Sequence, residues 1–476
     1  MKITFLRLPL GKGITGVEPG GYVTSLLYFQ WLTRYPPMGL LYSASLSEKD
    51  GHQVQIIDSE MNGMSLKKLT RSIKEFNPQV VCSSVNVFSP ASEFATLKIL
   101  KDELKFKLIC RGHFPRLYPE ETIQNNHVDF ALTGKGFFSI PLLIKAIVNN
   151  TGAEDIPGII FRDGNRIVKT GEEPLVDLNT LPFPARNLID NNIYTTALTT
   201  RDRFSTIIGS LGCPYRCTYC QEKSVPYQAR DINSIIEEIT ECKQKYGINE
   251  LFFLDPIFTV DRERTTDFCS KLIESGIRIK WVMRTRPDLV DNEMLSLLAE
   301  AGCIKIHYGI ESGNQRILDT LSRQITLGDI RKAVGMTAKK HIAVFGYFMV
   351  GNNGETEESI KDTIAFACSL PFNFVQFMKV APIHNTDILE NSIDKFKSDI
   401  WLENYKGIKS SADKWKPQDT ILSTNTLNLW IKKAYRAFYL RPGYLWRMII
   451  FRYTPFYVIR QLKTAALILR LKISGK

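Results

Sequence analysis

Over the first 150 residues, short apolar runs alternate with stretches whose apolar positions recur at helical spacing. The runs at 3–8, 54–58, 80–85, 107–110 and 129–132 read as strands, and the stretches at 38–49, 65–76, 92–104 and 138–149 read as helices between them. Such alternation predicts a doubly wound parallel sheet, because parallel neighbours need a crossover that a helix supplies. In such sheets ligands settle outside the carboxyl ends of the strands. Those ends carry turn and polar residues here: Pro9, Gly11 and Gly13; Ser83, Ser84 and Asn86; Gly112 and His113; Gly134 and Gly136.

Asp163-Gly164 between two apolar runs predicts a hairpin, and LPFPAR at 181–186 is rich in proline, so residues 151–200 are assigned to a linker containing that hairpin. The alternation then resumes in longer units. Strands are predicted at 206–210, 250–254, 280–283, 305–308, 344–350 and 374–379, with helices such as 232–246, 264–275 and 292–301. Six units predict a partial (β/α)6 barrel over 201–395, with chemistry at the carboxyl ends of its strands. From 396 to 476 the pattern is helical, aromatic and basic. The expected fold class is therefore α/β: a doubly wound domain at 1–150, the linker, the partial barrel and a helical extension.

Composition changes this picture in two places. The 476 residues are 44% hydrophobic and 23% charged, as in globular proteins, and the length predicts two or three domains. The net charge is +12, yet no acidic residue follows Asp419, while Lys432, Lys433, Arg436, Arg441, Arg447, Arg452, Arg460, Lys463, Arg470, Lys472 and Lys476 do. The body is almost neutral and the tail is basic. Arginines interleave with aromatics in YRAFYLRPGYLWRMIIFR at 435–452, and the apolar runs are too short to span a bilayer. Residues 435–441 are expected to cap the barrel; beyond them, contact with an anionic membrane surface is expected rather than nucleic acid. The opening MKITFLRLPL reads as a strand, not a signal peptide, which predicts a cytoplasmic protein, peripheral on the inner face of the membrane.

The nine cysteines make no disulfide scaffold in a chain this long. Three of them fall in GCPYRCTYC at 212–220, directly after a predicted strand. Cys213, Cys217 and Cys220 can converge on one small loop, and thiolates are the usual holders of iron–sulfur clusters. Three ligands for four irons leave one iron open to the amine and carboxylate of a small molecule. A structural zinc site is the alternative, but no second CxxC pair and no HxxxH is present. Cys82, Cys110, Cys242, Cys269, Cys303 and Cys368 lie mostly in apolar contexts and read as core.

From about residue 205 to 385 the chain resembles the radical S-adenosylmethionine (radical SAM) superfamily. Tyr219 fills the aromatic position before the third cysteine, which in the family packs by the adenine. Glu311-Ser312-Gly313 looks like the fourth-strand motif that holds ribose and amino acid. GNNGET, with Gly351, Gly354 and Glu355, looks like the glycine motif of the fifth strand, although Asn353 replaces the common proline. Arg286 matches an arginine near the methionine carboxylate. The resemblance implies a 4Fe-4S cluster, S-adenosylmethionine, and an electron donor such as flavodoxin or ferredoxin. It also implies a 5'-deoxyadenosyl radical that removes hydrogen from an unactivated carbon.

The N-terminal domain is similar to that of the cobalamin-binding subgroup. The resemblance lies in Pro36-Pro37-Met38-Gly39, Gly51-His52 with Asp58, Gly112-His113 with Pro119-Glu120, and Gly134-Lys135-Gly136 where GEG is usual. It implies cobalamin held near Ser84, Gly112, His113, Gly134 and Gly136. The DxHxxG pattern is broken by Gln55, so cobalt is expected without a histidine ligand, resting on loops at 9–13 and 83–86. A domain that has lost the cofactor and only shapes the substrate cavity is the alternative. The expected reaction is methylation of a hydrophobic, lipid-like or membrane-associated small molecule. The alternatives are radical rearrangement, cyclisation or carbon–carbon bond formation, and, from another class, a corrinoid sensor, which would not need the 212–220 loop. Methylthio transfer is disfavoured by the lack of a second cysteine triad. Tyr308 and Gln376 are read as cavity walls.

Overall fold

The computed structural model describes residues 1–9, 33–196, 203–223, 225–380, 386–390, 402, 405–406 and 422–444. It divides into two compact units, Met1–Tyr194 with Trp401–Lys409, and Thr195–Ile400 with Ser410–Lys476. Gly11, Gly13 and residues 445–476, on which loop and membrane contacts were expected, lie outside the described residues.

The first unit contains strands β1 (Lys2–Arg7), β2 (Gln53–Asp58), β3 (Val80–Ser84), β4 (Lys107–Arg111), β5 (Phe130–Leu132), β6 (Ile159–Asp163) and β7 (Arg166–Lys169). Its larger helices are α1 (Met38–Lys49), α2 (Leu66–Phe76), α3 (Pro90–Glu103) and α4 (Ser139–Asn149). The sheet runs β2-β1-β3-β4-β5-β6-β7, and the first five strands are parallel. Ile3, Phe5, Val80, Cys82 and Ile109 from the strands meet Leu40, Ala44, Ile140 and Leu143 from α1 and α4 in one core. Each of the larger aliphatic and aromatic side chains among them contributes on the order of 1.5–3 kcal/mol by leaving water. The strand order reverses between β1 and β3, so their carboxyl ends flank the crevice where doubly wound sheets bind ligands. The stretch assigned to a linker needs correction at its start. Its hairpin, β6 and β7, extends the first sheet antiparallel to β5, because Ile159, Ile160 and Phe161 are buried there.

The second unit holds six parallel strands in chain order: β8 (Phe204–Ile207), β9 (Glu250–Phe253), β10 (Lys280–Thr285), β11 (Cys303–Glu311), β12 (Ala343–Val350) and β13 (Phe374–Lys379). Between them run α5 (Ile232–Tyr246), α6 (Arg262–Glu274), α7 (Asn292–Glu300), α8 (Gln315–Thr320), α9 (Leu327–Lys339) and α10 (Glu357–Ser369), and α11 (Thr424–Tyr439) follows. Alternation assigns the two faces of the sheet. Leu251, Phe253, Trp281, Met283, Ile306, Tyr308 and Val344 pack against helices in the main core. Tyr308, read as a cavity wall, therefore belongs to the helix side; it is fully buried and its hydroxyl meets Thr337 on α9 at 2.8 Å. Gln376 stands on the opposite face. The edge strand β13 is covered by α11. The Tyr439 hydroxyl donates to Val375 O (2.8 Å) and accepts from Val375 N–H (3.1 Å), while Tyr435 pairs with Phe377 in the same way. Two tyrosines thus occupy backbone groups that an edge strand would leave open.

Candidate active site

The cysteine loop leaves the sheet after β8 and is clamped at its base. Ser210–Leu211 pairs antiparallel with Gln228–Ala229, and Asp255 at the end of β9 accepts from Gly209 N–H (2.8 Å) and the Ser210 hydroxyl (2.7 Å). Arg264 donates to Gly209 O and Arg230 O, both at 2.9 Å. Gly212 has φ +75°, and a Cβ there would overlap the Pro226 carbonyl, so glycine is required. Cys213 N–H donates to Val225 O (3.1 Å), and Cys220 N–H to Cys217 O (3.1 Å). Cys217 is buried; Cys213 and Cys220 are half-buried. Burial raises the Cys213 thiol and pushes that of Cys220 up to about 11, and the neighbouring thiols add to both effects. Among the described residues no three His, Cys, Asp or Glu side chains form a set that could hold a single metal ion. A cluster makes a different demand, since its three thiolates bind three different irons rather than converging on one.

The loop rests on the carboxyl end of β11. The Tyr219 hydroxyl donates to Glu311 Oε1 (2.8 Å), and Arg323 donates to Cys217 Sγ (3.6 Å) and Gly309 O (2.5 Å). Glu311 has φ +68°, and Arg323 lies between Ser322 (φ +53°) and Gln324 (φ +52°). Left-handed non-glycine residues store strain of order 1–3 kcal/mol each and gather at functional sites. Burial raises the Glu311 carboxyl against the pull of Arg323. Arg286 does not stand free: it pairs with Asp288 (2.9 Å), donates to Arg323 O (2.6 Å) and stacks on Tyr215, 3.9 Å from the ring centre. Its Nη1, Arg323 Nε and Asn352 Oδ1 are buried with no hydrogen-bond partner among the described residues.

Ser312 and the glycine motif are bound up in their own frameworks. The Ser312 hydroxyl meets Thr363 (3.1 Å) and accepts from Asn314 N–H (3.1 Å), and Gly313 has no room for a Cβ against α10. Gly351 and Gly354 have φ of +94° and +68°. The Glu355 carboxylate accepts from the backbone N–H groups of Gly351 and Asn352, the latter at 2.9 Å. Its burial raises the carboxyl to about 7.

In the first unit, Ser84 ends β3, and Gly112 (φ +104°) leaves no space for a Cβ beside Val85 O (2.7 Å) and Ser84 Oγ (2.9 Å). His113 opens the short helix that follows Gly112. Asn86 ties the β3–α3 loop to buried Glu93, donating to it from backbone N–H (3.0 Å) and Nδ2 (2.7 Å). The buried Ser83 hydroxyl has no partner among the described residues. Gly134 makes room for Glu173, which accepts from Gly136 N–H (2.8 Å), Phe138 N–H (2.9 Å) and Ser139 N–H (3.1 Å) at the start of α4.

Residues 207–367 match the family model of the radical SAM superfamily. The chain thus carries a radical SAM domain over these residues. An uncharacterized methyltransferase of Pyrococcus horikoshii is 26% identical over 87% of the chain and 90% of its own length. The hopanoid C-3 methylase of Methylococcus capsulatus is 24% identical over 64% of the chain and 58% of its own length. Among solved structures, the radical SAM methyltransferase TsrM from Kitasatospora setae, with cobalamin and a [4Fe-4S] cluster bound, superposes with TM-score 0.68 at 15% identity, covering 93% of this chain and 89% of that one. The cobalamin-dependent radical enzyme OxsB superposes with TM-score 0.65 at 16% identity, covering 85% of this chain and 56% of that one. The radical SAM chain thus has the two-sheet fold of these neighbours.

Sequence reasoning missed Asp255, Arg264 and Arg323. The first two brace the loop through backbone groups, which leaves no motif. Only the pattern of polar residues at strand ends could have drawn attention to Asp255.

Proposed function

We propose that this radical SAM chain is a cobalamin-dependent methyltransferase that acts on an unactivated carbon of a hydrophobic or membrane-associated small molecule. The observation that carries the reading is the pairing, in one chain, of a 2-1-3-4-5 parallel sheet with a six-stranded radical SAM sheet whose cysteine loop is seated, through Tyr219 and Cys217, on Glu311 and Arg323. The donor sets fit the implied groups: three thiols on one clamped loop for a 4Fe-4S cluster, unpartnered Arg286, Arg323 and Asn352 atoms for S-adenosylmethionine, and the orphan Ser83 hydroxyl beside the β1–β3 crevice for a corrinoid. When bound, the cluster and corrinoid supply an electron for cleaving S-adenosylmethionine and a carrier for the methyl group. Cys213, Cys217 and Cys220 hold the cluster, and Arg323 places a fixed positive charge on Cys217. Tyr219 and Glu311 fix the floor beneath the nucleotide. A flavodoxin or ferredoxin delivers the electron.

No helix among the described residues is long and apolar enough to cross a membrane; the proposed lipid contact rests on the basic tail at 445–476. A relative named as an anaerobic magnesium-protoporphyrin IX monomethyl ester cyclase, 24% identical over 88% of the chain, supports cyclisation as the second reading. Anaerobic reconstitution with iron, sulfide and hydroxocobalamin tests the proposal. The wild type is expected to retain about four irons and one corrinoid, and to form S-adenosylhomocysteine with a methylated product. Replacing any of the three cysteines by alanine abolishes S-adenosylmethionine cleavage. A preparation that takes up no corrinoid, or forms only 5'-deoxyadenosine and methionine, refutes methyl transfer.

A further inference from the structure

The inner face of the second sheet carries a polar group that the cysteine loop and its supports do not use. On β10 and β11, Arg284 and His307 stand in register on adjacent strands, and His307 is in register with Phe345 on β12. On the same strand Gly309 leaves room for the Glu311 carboxylate and the Arg323 guanidinium, and Glu311 is engaged by Tyr219. The Arg284 guanidinium sits over the Phe252 ring at 5.0 Å, and the His307 ring lies 5.2 Å from Phe252 and stacks on Phe345 at 4.6 Å and 14°. Tyr347 fixes the imidazole through a 2.8 Å bond between its hydroxyl and Nδ1.

Two features mark this as a ligand site rather than a finished core. His307 is only 5% exposed, yet its Nε2 has no partner among the described residues, and neither has Arg284 Nε. Leaving such buried groups unpaired costs about 1–3 kcal/mol each, so they are expected where something binds. The neighbouring Lys305 feels Glu250, whereas Arg284 sets its cation against an aromatic wall. His307 stays neutral, because burial and the nearby Lys305 and Arg284 hold its ring well below the ordinary range. In the tautomer in which Tyr347 donates to Nδ1, Nε2–H points a donor at the ligand.

We infer that Arg284, His307 and Tyr347 form the anion-recognition site of the substrate cavity, and that the substrate couples a carboxylate or phosphoryl group to an apolar body lying against Phe252 and Phe345. The inference deepens the proposed function and rests on the substrate entering this barrel. The methionine carboxylate of S-adenosylmethionine is the competing source of the same chemistry, and the test separates them. Phenyl phosphate serves as the probe, titrated calorimetrically into the anaerobically reconstituted protein. The wild type is expected to bind it without displacing S-adenosylmethionine. Arg284→Gln weakens phenyl phosphate at least tenfold and changes S-adenosylmethionine affinity less than twofold, while Arg284→Lys, which keeps the charge, weakens it about threefold. Should Arg284→Gln fail to fold, Tyr347→Phe, expected to cost about threefold, carries the comparison. No binding by the wild type, undiminished binding by the variants, or competition between phenyl phosphate and S-adenosylmethionine overturns the inference. Loss of corrinoid uptake bears on the methyltransferase reading alone and leaves this measurement intact.

Discussion

Gly212 sets the course of the chain into the cysteine loop, and its replacement by alanine gives a sharp test of how that loop is held. Two costs add there. An L-residue at φ +75° pays roughly 1–2 kcal/mol for left-handed backbone. The new Cβ would lie 2.6 Å from Pro226 C and 2.8 Å from Val225 O, and it would overlap Pro226 O. These are backbone atoms of the strand-like return that also accepts the Cys213 N–H bond, so they cannot rotate away, and overpacking of this kind costs about 1–3 kcal/mol. The sum, about 2–5 kcal/mol, disfavours the native loop by roughly thirtyfold or more. Gly276 supplies the control in the same unit: it has φ +66° and nothing within 4 Å, so alanine there meets only the backbone cost, roughly 1–2 kcal/mol. Iron and labile sulfide per chain after reconstitution, together with the rate of iron release to a chelator, report on the loop. Gly212→Ala should lose most of its iron and release the rest faster, with Gly276→Ala close to wild type. Wild-type iron content and release rate in Gly212→Ala would refute the argument that this glycine shapes the cluster site.

Three further outcomes follow from the same reasoning. Glu355 has a folded-state value raised from 4.5 to about 7, so its contribution is complete below pH 4.5 and is lost as pH rises through 7. At about 1.36 kcal/mol per pH unit, Glu355→Gln should gain about 3 kcal/mol relative to wild type between pH 4.5 and pH 8 in denaturant titrations; a difference that stays flat with pH rules this out. Glu173→Ala removes the carboxylate that accepts three N–H groups at the start of α4 and should lower stability by about 1–2 kcal/mol, read as the denaturation midpoint; an unchanged midpoint contradicts the capping role. Changing Arg447, Arg452, Arg460 and Lys463 to glutamine in the full chain should reduce partition onto anionic vesicles by about 1 kcal/mol per charge, and equal partition removes the membrane proposal.

The sequence by itself determined most of the helices and strands. Periodicity located α1, α5 and β13 with both ends correct, since apolar spacing and flanking breakers are local properties. The CxxxCxxC spacing singled out Cys213, Cys217 and Cys220 as the proposed cluster ligands, because three thiols on one short loop are close along the chain. The tertiary structure alone decided what depends on contacts between distant segments. It added the β6–β7 hairpin to the first sheet, because the burial of Ile159 and Phe161 on β6 comes from β5 and the core beneath it. It turned Tyr308 toward α9, since a strand side chain's face depends on register with its neighbours. It brought Arg323 to Cys217 across 106 positions of chain, and Arg284 beside His307 through strand pairing. Local pattern records which way a residue prefers to bend and whether it seeks water. The partner it meets is set only when the sheets close.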